Sequence, residues 1–429
     1  MQERVKKQMT ASGWLLALCW LVYTCSLIGK VNYSATITQV EAFFSVSHAD
    51  AGMVTTFYFF AYGAGQIFNG VFCKKYNLKY VIAGSLFISG MLNLIVGITP
   101  NFAIIKWLWL VNGMLLSVLW PCTIRLLSET TSKRRMVRAS VIMGTTTATG
   151  TLIIYGLSSL FTELGIFRFA FYTAAVVLPL VALVWFLAFN KLVKVAKEQS
   201  EREDIEDGVV ALQAQSVSNP KVKVKMTKSM LVLVVILCFF SSATYFIKDG
   251  LTTWIPSILK EEYGLPASLS ILLTLCLPIL GIFGNLFANT LYKMFGDFII
   301  VIGLLFLGAT LLIGGVIAAL SLYIVVITLI AFSLTYFLSC AANSTATSVF
   351  PLQMKGKINS GLIAGVVTGC GYVGSTISSY GLGAVADKWG WSTVFWLLFT
   401  VSAVVVAISV VYKLVQALGK KRNQADKVA

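Results

Sequence analysis

The chain is poor in the residues that enzymes work with. It has one histidine, His48, among 429 residues. Its eight cysteines (Cys19, Cys25, Cys73, Cys122, Cys238, Cys276, Cys340 and Cys370) are scattered, with no Cys-x-x-Cys pair and no metal-ligand spacing. They read as small packing residues, and His48 reads as a surface residue in the connection after the first apolar run. No glycine loop has Walker spacing, which excludes ATP-driven pumping by this chain alone. No nucleophile–base pair stands out, so we expect neither an enzyme nor a cofactor or metal. Charge is scarce too. Only 12% of residues are Asp, Glu, Lys or Arg, against about 25% in water-soluble domains.

What fills the space is apolar sequence: 58% hydrophobic residues and a mean hydropathy of +0.85. A helix crosses the bilayer with roughly 20 apolar residues. Runs of that length recur twelve times, at about 12–39, 51–73, 80–98, 102–127, 139–162, 168–190, 229–259, 267–291, 297–317, 321–348, 359–383 and 391–412. The chain is therefore read as an all-α polytopic membrane protein. A transmembrane barrel would show short alternating segments instead. The net charge of +16 is not a nucleic-acid signal, because 26 of the 33 Lys and Arg fall in the termini and alternate loops that share one side. By the positive-inside rule that side is cytoplasmic and holds both termini, in a cell (inner or plasma) membrane.

Residues 191–228 interrupt the apolar pattern with "KEQSEREDIEDG" and "KVKVK". This divides the chain into a six-span bundle (1–190), a cytoplasmic linker (191–228) and a second bundle with a basic tail (229–429). The halves echo one another at an offset near 219: Lys30 with Lys248, "NGVFCKKYN" (69–77) with "ANTLYKMFG" (288–296), and "RASVIMG" (138–144) with "INSGLIAG" (358–365). Two six-helix repeats with a midplane site describe one large transporter architecture.

Lys30 and Lys248 lie deep in spans 1 and 7, and Asp249 is the one acid well inside a span. A lysine at the bilayer centre costs about 2.5–3.5 kcal/mol on insertion scales. One aspartate cannot neutralise both lysines, even if Lys106 and Arg125 of span 4 are set aside as interfacial. The excess positive charge asks for an anion, and a small anionic substrate is the simplest one. An ion-pair network that only locks helices is the competing reading. Asp249 either anchors Lys248, reaches Arg125, or is a proton-coupling carboxylate. Adjacent helical positions diverge by about 100°, so Lys248 and Asp249 cannot both face one cavity squarely. Polar stripes gather at helical spacing: Tyr23 and Tyr33 on the Lys30 face, Ser241, Tyr245 and Thr252 on the Lys248 face, then Tyr62, Gln66 and Asn69, Tyr336, Cys340 and Asn343, and Tyr372 and Ser375. Gly361, Gly365 and Gly369 form overlapping GxxxG units and are read as packing surfaces. The threonine-rich "GTTTATGT" (144–151) either lines the cavity or bends its helix.

Several stretches carry a family resemblance: "GKVNYS" (29–34), "FAYGAGQIFNG" (60–70), "WPC" (120–122), "YFIKDGLTTWIPSILKE" (245–261) and "GYVGSTISSYGLGAVADKWGW" (371–391). They resemble the organophosphate:phosphate antiporters of the major facilitator superfamily, which include the glycerol-3-phosphate and hexose-phosphate transporters. The resemblance implies the twelve-helix, two-bundle major facilitator fold and a secondary transporter of a small organic anion, a phosphate ester first of all, with inorganic phosphate as counter-substrate. It places the family's two phosphate-gripping arginines on Lys30 and Lys248, and its tyrosines on Tyr23, Tyr245 and Tyr372. Gln66 stands where the glycerol-phosphate members have lysine, and Thr146 where they have histidine. The family's span-4 tryptophan is displaced by one residue, to Trp120. Lysine is a point charge where arginine is a planar fork. The expected substrate contacts are thus Lys30, Lys248, Tyr23, Tyr245, Tyr62, Gln66, Trp120, Thr146, Asn343 and Tyr372, in a monomer embedded in lipid. A proton-coupled carboxylate or sulfonate symporter using Asp249, and a non-transporting organophosphate sensor of the same fold, are the alternatives.

Overall fold

The computed structural model describes residues 2–206, 228–320, 324–350 and 360–428, and every regular element among them is a helix. In order these are α1 (Gln2–Ala35), α2 (Ile37–Phe44), α3 (His48–Phe72), α4 (Leu78–Ile98), α5 (Phe102–Leu116), α6 (Leu119–Thr130), α7 (Lys133–Gly144), α8 (Thr146–Glu163), α9 (Phe169–Glu206), α10 (Lys228–Tyr263), α11 (Ala267–Leu273), α12 (Cys276–Phe295), α13 (Phe298–Leu320), α14 (Val325–Ser344) and α15 (Ser360–Val428). Ten stretches among the described residues are long and apolar enough to cross a bilayer. The longest, Gly365–Leu418, is divided at Gly390, whose φ of 78° and ψ of 169° leave helical space. The 25-residue α3 supplies the remaining crossing, its hydropathy lowered by residues such as Asp50, Gln66 and Asn69. The result is the twelve-helix pattern.

Several crossings are broken helices. Spans 4, 5 and 8 are each two helices, α5 with α6, α7 with α8, and α11 with α12. The joint in span 5 falls at Thr145, whose hydroxyl donates to the Ile142 carbonyl and accepts from Trp20 Nε1 at 3.0 Å. Helix starts at the membrane edge carry side-chain caps. Asn77 accepts from the Lys79 N–H and Asn101 from that of Ala103, satisfying amides with no intrahelical partner.

The chain forms two compact units. The first comprises residues 1–36 and 57–227, the second residues 37–56 and 228–429. In the first, α1 packs on α8 and α9, and α4 on α9. Its interior holds Trp109, Trp185, Tyr33, Tyr155 and Phe171. A buried amide network crosses it. Asn112 and Asn93 both donate to the Gly29 carbonyl (2.8 and 3.4 Å), Asn32 donates to Asn93 (2.7 Å), and Ser89 donates to Asn112 (2.6 Å). Satisfied networks of this kind fix one arrangement, because every alternative strands a polar group in a low dielectric. Residues 191–206, read from sequence as the start of the linker, continue α9 as helix. Glu203 there accepts from Ser132 (2.7 Å) and pairs with Arg135 (2.8 Å). The remainder of that linker, 207–227, lies outside the described residues.

In the second unit α10 lies along α15, and α14 packs on α12 and α13. The close approach of α10 and α15 rests on Gly374, where a Cβ would sit 1.9 Å from the Ser242 carbonyl oxygen. Gly365, one of the glycines expected from the GxxxG pattern to pack, has nothing within 4 Å of such a Cβ. The small residues that matter lie two turns further along the helix.

Candidate functional site

Helix α1 carries Lys30 directly after Gly29, the carbonyl that Asn93 and Asn112 hold. The backbone at Lys30 is therefore pinned inside the first unit. Its ammonium lies 4.3 Å from the ring centroid of Tyr62, 5.7 Å from Tyr58 and 5.9 Å from Phe59. Tyr58 and Tyr62 stack at 5.6 Å, one helical turn apart in α3. Aromatic faces stabilise a nearby cation by about 0.5–2 kcal/mol, more when water is excluded. Tyr62 was legible as a neighbour of Lys30. Tyr58 and Phe59 were not, although the Tyr58/Tyr62 spacing of four is a helical-face signal.

Lys248 stands in a different setting. Its Nζ lies 3.1 Å from Asp249 Oδ1, with the two side chains 18% and 14% exposed. The lysine's length lets it fold across the angle that separates adjacent helical positions. The other carboxylate oxygen accepts from Ser375 of α15 at 2.5 Å. The Tyr245 ring lies 4.6 Å from Lys248 Nζ and meets Tyr372 edge-on at 5.1 Å. Tyr336 and Cys340 of α14 are close enough to act on Lys248 electrostatically. One turn beyond Cys340, the buried Asn343 Oδ1 has no hydrogen-bond partner among the described residues, and neither has Ser241 Oγ. Each leaves hydrogen-bonding capacity unused beside the ion pair's helices.

The remaining expected contacts divide. Tyr23 and Trp120 pair at a ring separation of 4.8 Å. Gln66 is half-buried in α3. Thr146 is fully buried, with its hydroxyl on the Met143 carbonyl at the helix joint. Tyr33, placed by spacing on the Lys30 face, is fully buried and packs on Trp109 at 5.6 Å. Asn69 is internal glue, donating to Ser117 at 2.8 Å and accepting from Tyr76 at 3.0 Å. Arg125 is engaged by Glu129 at 2.7 Å and donates to the Cys73 carbonyl.

Sequence reasoning missed one cluster, at His48. That residue is not a free surface side chain. Its Nδ1 lies 2.9 Å from Glu41 Oε1 and its Nε2 3.1 Å from Glu261 Oε2. The ring sits against Trp254 and Trp391, at 5.7 and 5.2 Å. Burial alone would lower its pKa. The hydrogen bonds to Glu261 and Glu41, and their charges, outweigh that and push it from the ordinary 6.5 up to about 10. Polar atoms of the three side chains lie within 4.8 Å of one another. Both ring nitrogens are spent on carboxylates. The one sequence hint was Glu41, seven residues before His48.

A sequence model of the Major Facilitator Superfamily matches residues 19–363. Among curated proteins, the "Probable hexose phosphate transport protein" of Chlamydia muridarum is 22% identical over 420 residues, covering 92% of this chain and 89% of that protein. The "Membrane sensor protein UhpC" of Escherichia coli K12 is 23% identical over 114 residues, and the match spans only 26% of its length. Solved structures share the fold. A bacterial homologue of the human lysosomal transporter Spinster, inward-facing and occupied, superposes with a TM-score of 0.68 at 13% identity, covering 94% of each chain. The xylose transporter XylE of E. coli, partially occluded and inward-open, gives 0.68 at 13% identity, covering 93% of this chain and 97% of that one.

Proposed function

This chain belongs to the Major Facilitator Superfamily, and within that fold we propose that it is a secondary active transporter of a small organic anion, with a phosphate ester as the first candidate substrate. Each half contributes one cation to recognition, Lys30 and Lys248. The observation that carries this reading is the presence of two lysines at repeat-related places in apolar helices that hold one aspartate, Asp249, between them. Tyr62, Tyr245 and Tyr372 frame the charges. The unpartnered Asn343 oxygen suits a hydroxyl on the substrate's neutral part. The resemblance to a hexose phosphate transport protein supports the same class. Inorganic phosphate is the proposed counter-substrate, in a plasma or inner membrane with both termini cytoplasmic, and the transporter is proposed to act as a monomer.

The pairing of Asp249 with Lys248 favours one further reading, proton-coupled uptake of a carboxylate or sulfonate. A thermal-shift screen of glucose 6-phosphate, inorganic phosphate, monocarboxylates and sulfonates tests the class. Counterflow in proteoliposomes then tests the coupling. Phosphate-driven exchange supports antiport, whereas uptake driven by a pH gradient without counter-substrate supports symport. Variants K30Q and K248Q/D249N, the second of which strands no charge, are expected to lose the ligand-induced shift while remaining folded. Wild-type affinity in either would overturn the role of the lysines.

A further inference from the structure

His48 opens α3, and its environment dictates its charge. A neutral imidazole carries one N–H and one lone pair, and an ionised carboxylate only accepts. With Glu41 on Nδ1 and Glu261 on Nε2, a neutral ring would set its lone pair against one of the two carboxylates. Only the imidazolium donates at both nitrogens. The rest of the cluster is arranged around that ion. Trp391 Nε1 donates to the same Glu261 oxygen at 2.8 Å. The backbone N–H groups of His48 and Ala49 donate to the two oxygens of Asp387, at 3.0 and 2.8 Å.

These contacts have a topological meaning. Residues 37–56 belong to the second unit, yet the chain on either side of them, up to Thr36 and from Phe57, belongs to the first. The bonds of His48 and Ala49 to Glu261 and Asp387, together with that of the Thr56 hydroxyl to the Thr376 carbonyl at 3.0 Å, tie this segment to the rest of the second unit.

We infer that His48 is a proton-held latch: segment 37–56 stays docked while His48 carries its second proton, and undocking releases that proton to solvent. The charged groups on the imidazole itself are Glu41 from α2 and Glu261 from α10; Lys260 of α10 acts on Glu41, Asp387 of α15 accepts from the His48 backbone N–H, and Asp50 of His48's own helix is engaged by Ser47. The carboxylates hold the proton on the docked ring up to about 10, whereas an undocked histidine titrates near 6.5. The docked pKa is the raised one, so the stabilisation is fully present below about 6.5 and is lost as pH rises through about 10. Across that window the undocked-to-docked ratio rises about tenfold per pH unit. Burial raises Glu41, against the pull of His48, so Glu41 adds to the linkage in the same direction at its own lower range.

The test needs no transported ligand and is independent of the proposed function. Because the chain has one histidine, histidine-selective isotope labelling of the full chain, purified in nanodiscs through a tag without histidine, gives one imidazole to follow by NMR. The wild-type ring is expected to titrate several units above 6.5, and E261Q and E41Q to move it down toward 6.5. Hydrogen exchange across 37–56, corrected for the intrinsic rate, is expected to quicken about tenfold per pH unit from 7 to 9, and to stay flat in H48Q. A wild-type ring titrating near 6.5 overturns the latch, as does an opening rate equally pH-dependent in H48Q. If H48Q does not fold, E261Q decides by itself, because it keeps the histidine and removes one carboxylate charge.

Discussion

Lys30 and Lys248 hold matching places in two repeats, but their surroundings differ in kind. Lys30 lies against three aromatic faces on a backbone pinned by asparagines. Lys248 lies against a carboxylate that is itself held by a serine of another helix. A π-face stabilises a cation without neutralising it, and a carboxylate does both. The two halves thus repeat a charge in different surroundings. On the proposed reading, an anion at Lys248 competes with a formal negative charge, while at Lys30 aromatic faces flank it.

The contrast can be broken most severely at the ion pair. K248Q leaves the Asp249 side chain, only 14% exposed, without its ammonium partner, and breaking a buried pair of this kind costs up to about 3–5 kcal/mol. Thermal unfolding in detergent should show the loss, and adding D249N should restore most of it. S375A removes a hydrogen bond to a charged acceptor, so a smaller loss of about 1.5–3 kcal/mol is expected in the same assay. On the other side, Y62L removes the nearest aromatic face from Lys30, for about 0.5–2 kcal/mol. Y62F keeps the face and should change little. If Y62L proved as costly as K248Q, the distinction between the two lysines would collapse.

The fold was largely readable from the sequence. Bilayer thickness imposes a length on apolar runs, and the runs are there to count. The lysines were readable because a charge in such a run has no innocent background. Asp249 was found but its role was open, and its anchoring partner Ser375 lies 126 positions away, a separation that no local pattern spans. Tyr33 shows what helical-face reasoning leaves out. It was placed three residues from Lys30 on one helix face, and its packing on Trp109, 76 positions away, was beyond any local pattern. The helix through 191–206 was hidden by its charge, which suits a solvated helix as well as a linker. His48 was misjudged for a related reason: a lone histidine in a connection acquires its meaning from Glu261, brought 213 positions along the chain to meet it.

The carboxylates around that histidine have a consequence beyond holding a proton. Glu41, Asp50, Glu261, Glu262 and Asp387 gather where α3 begins and α10 ends, and His48, Lys260 and Lys388 offset only part of their charge. The other end of the second unit presents Lys293 and Lys413, the latter paired with Asp297. For a small anion arriving by diffusion, the two ends of this unit differ before any contact is made. Like charge slows approach at the first end, and dissolved salt, by screening over about 8–10 Å, quickens it. The second unit is thus electrically polarised from one end to the other, and added salt weakens that difference.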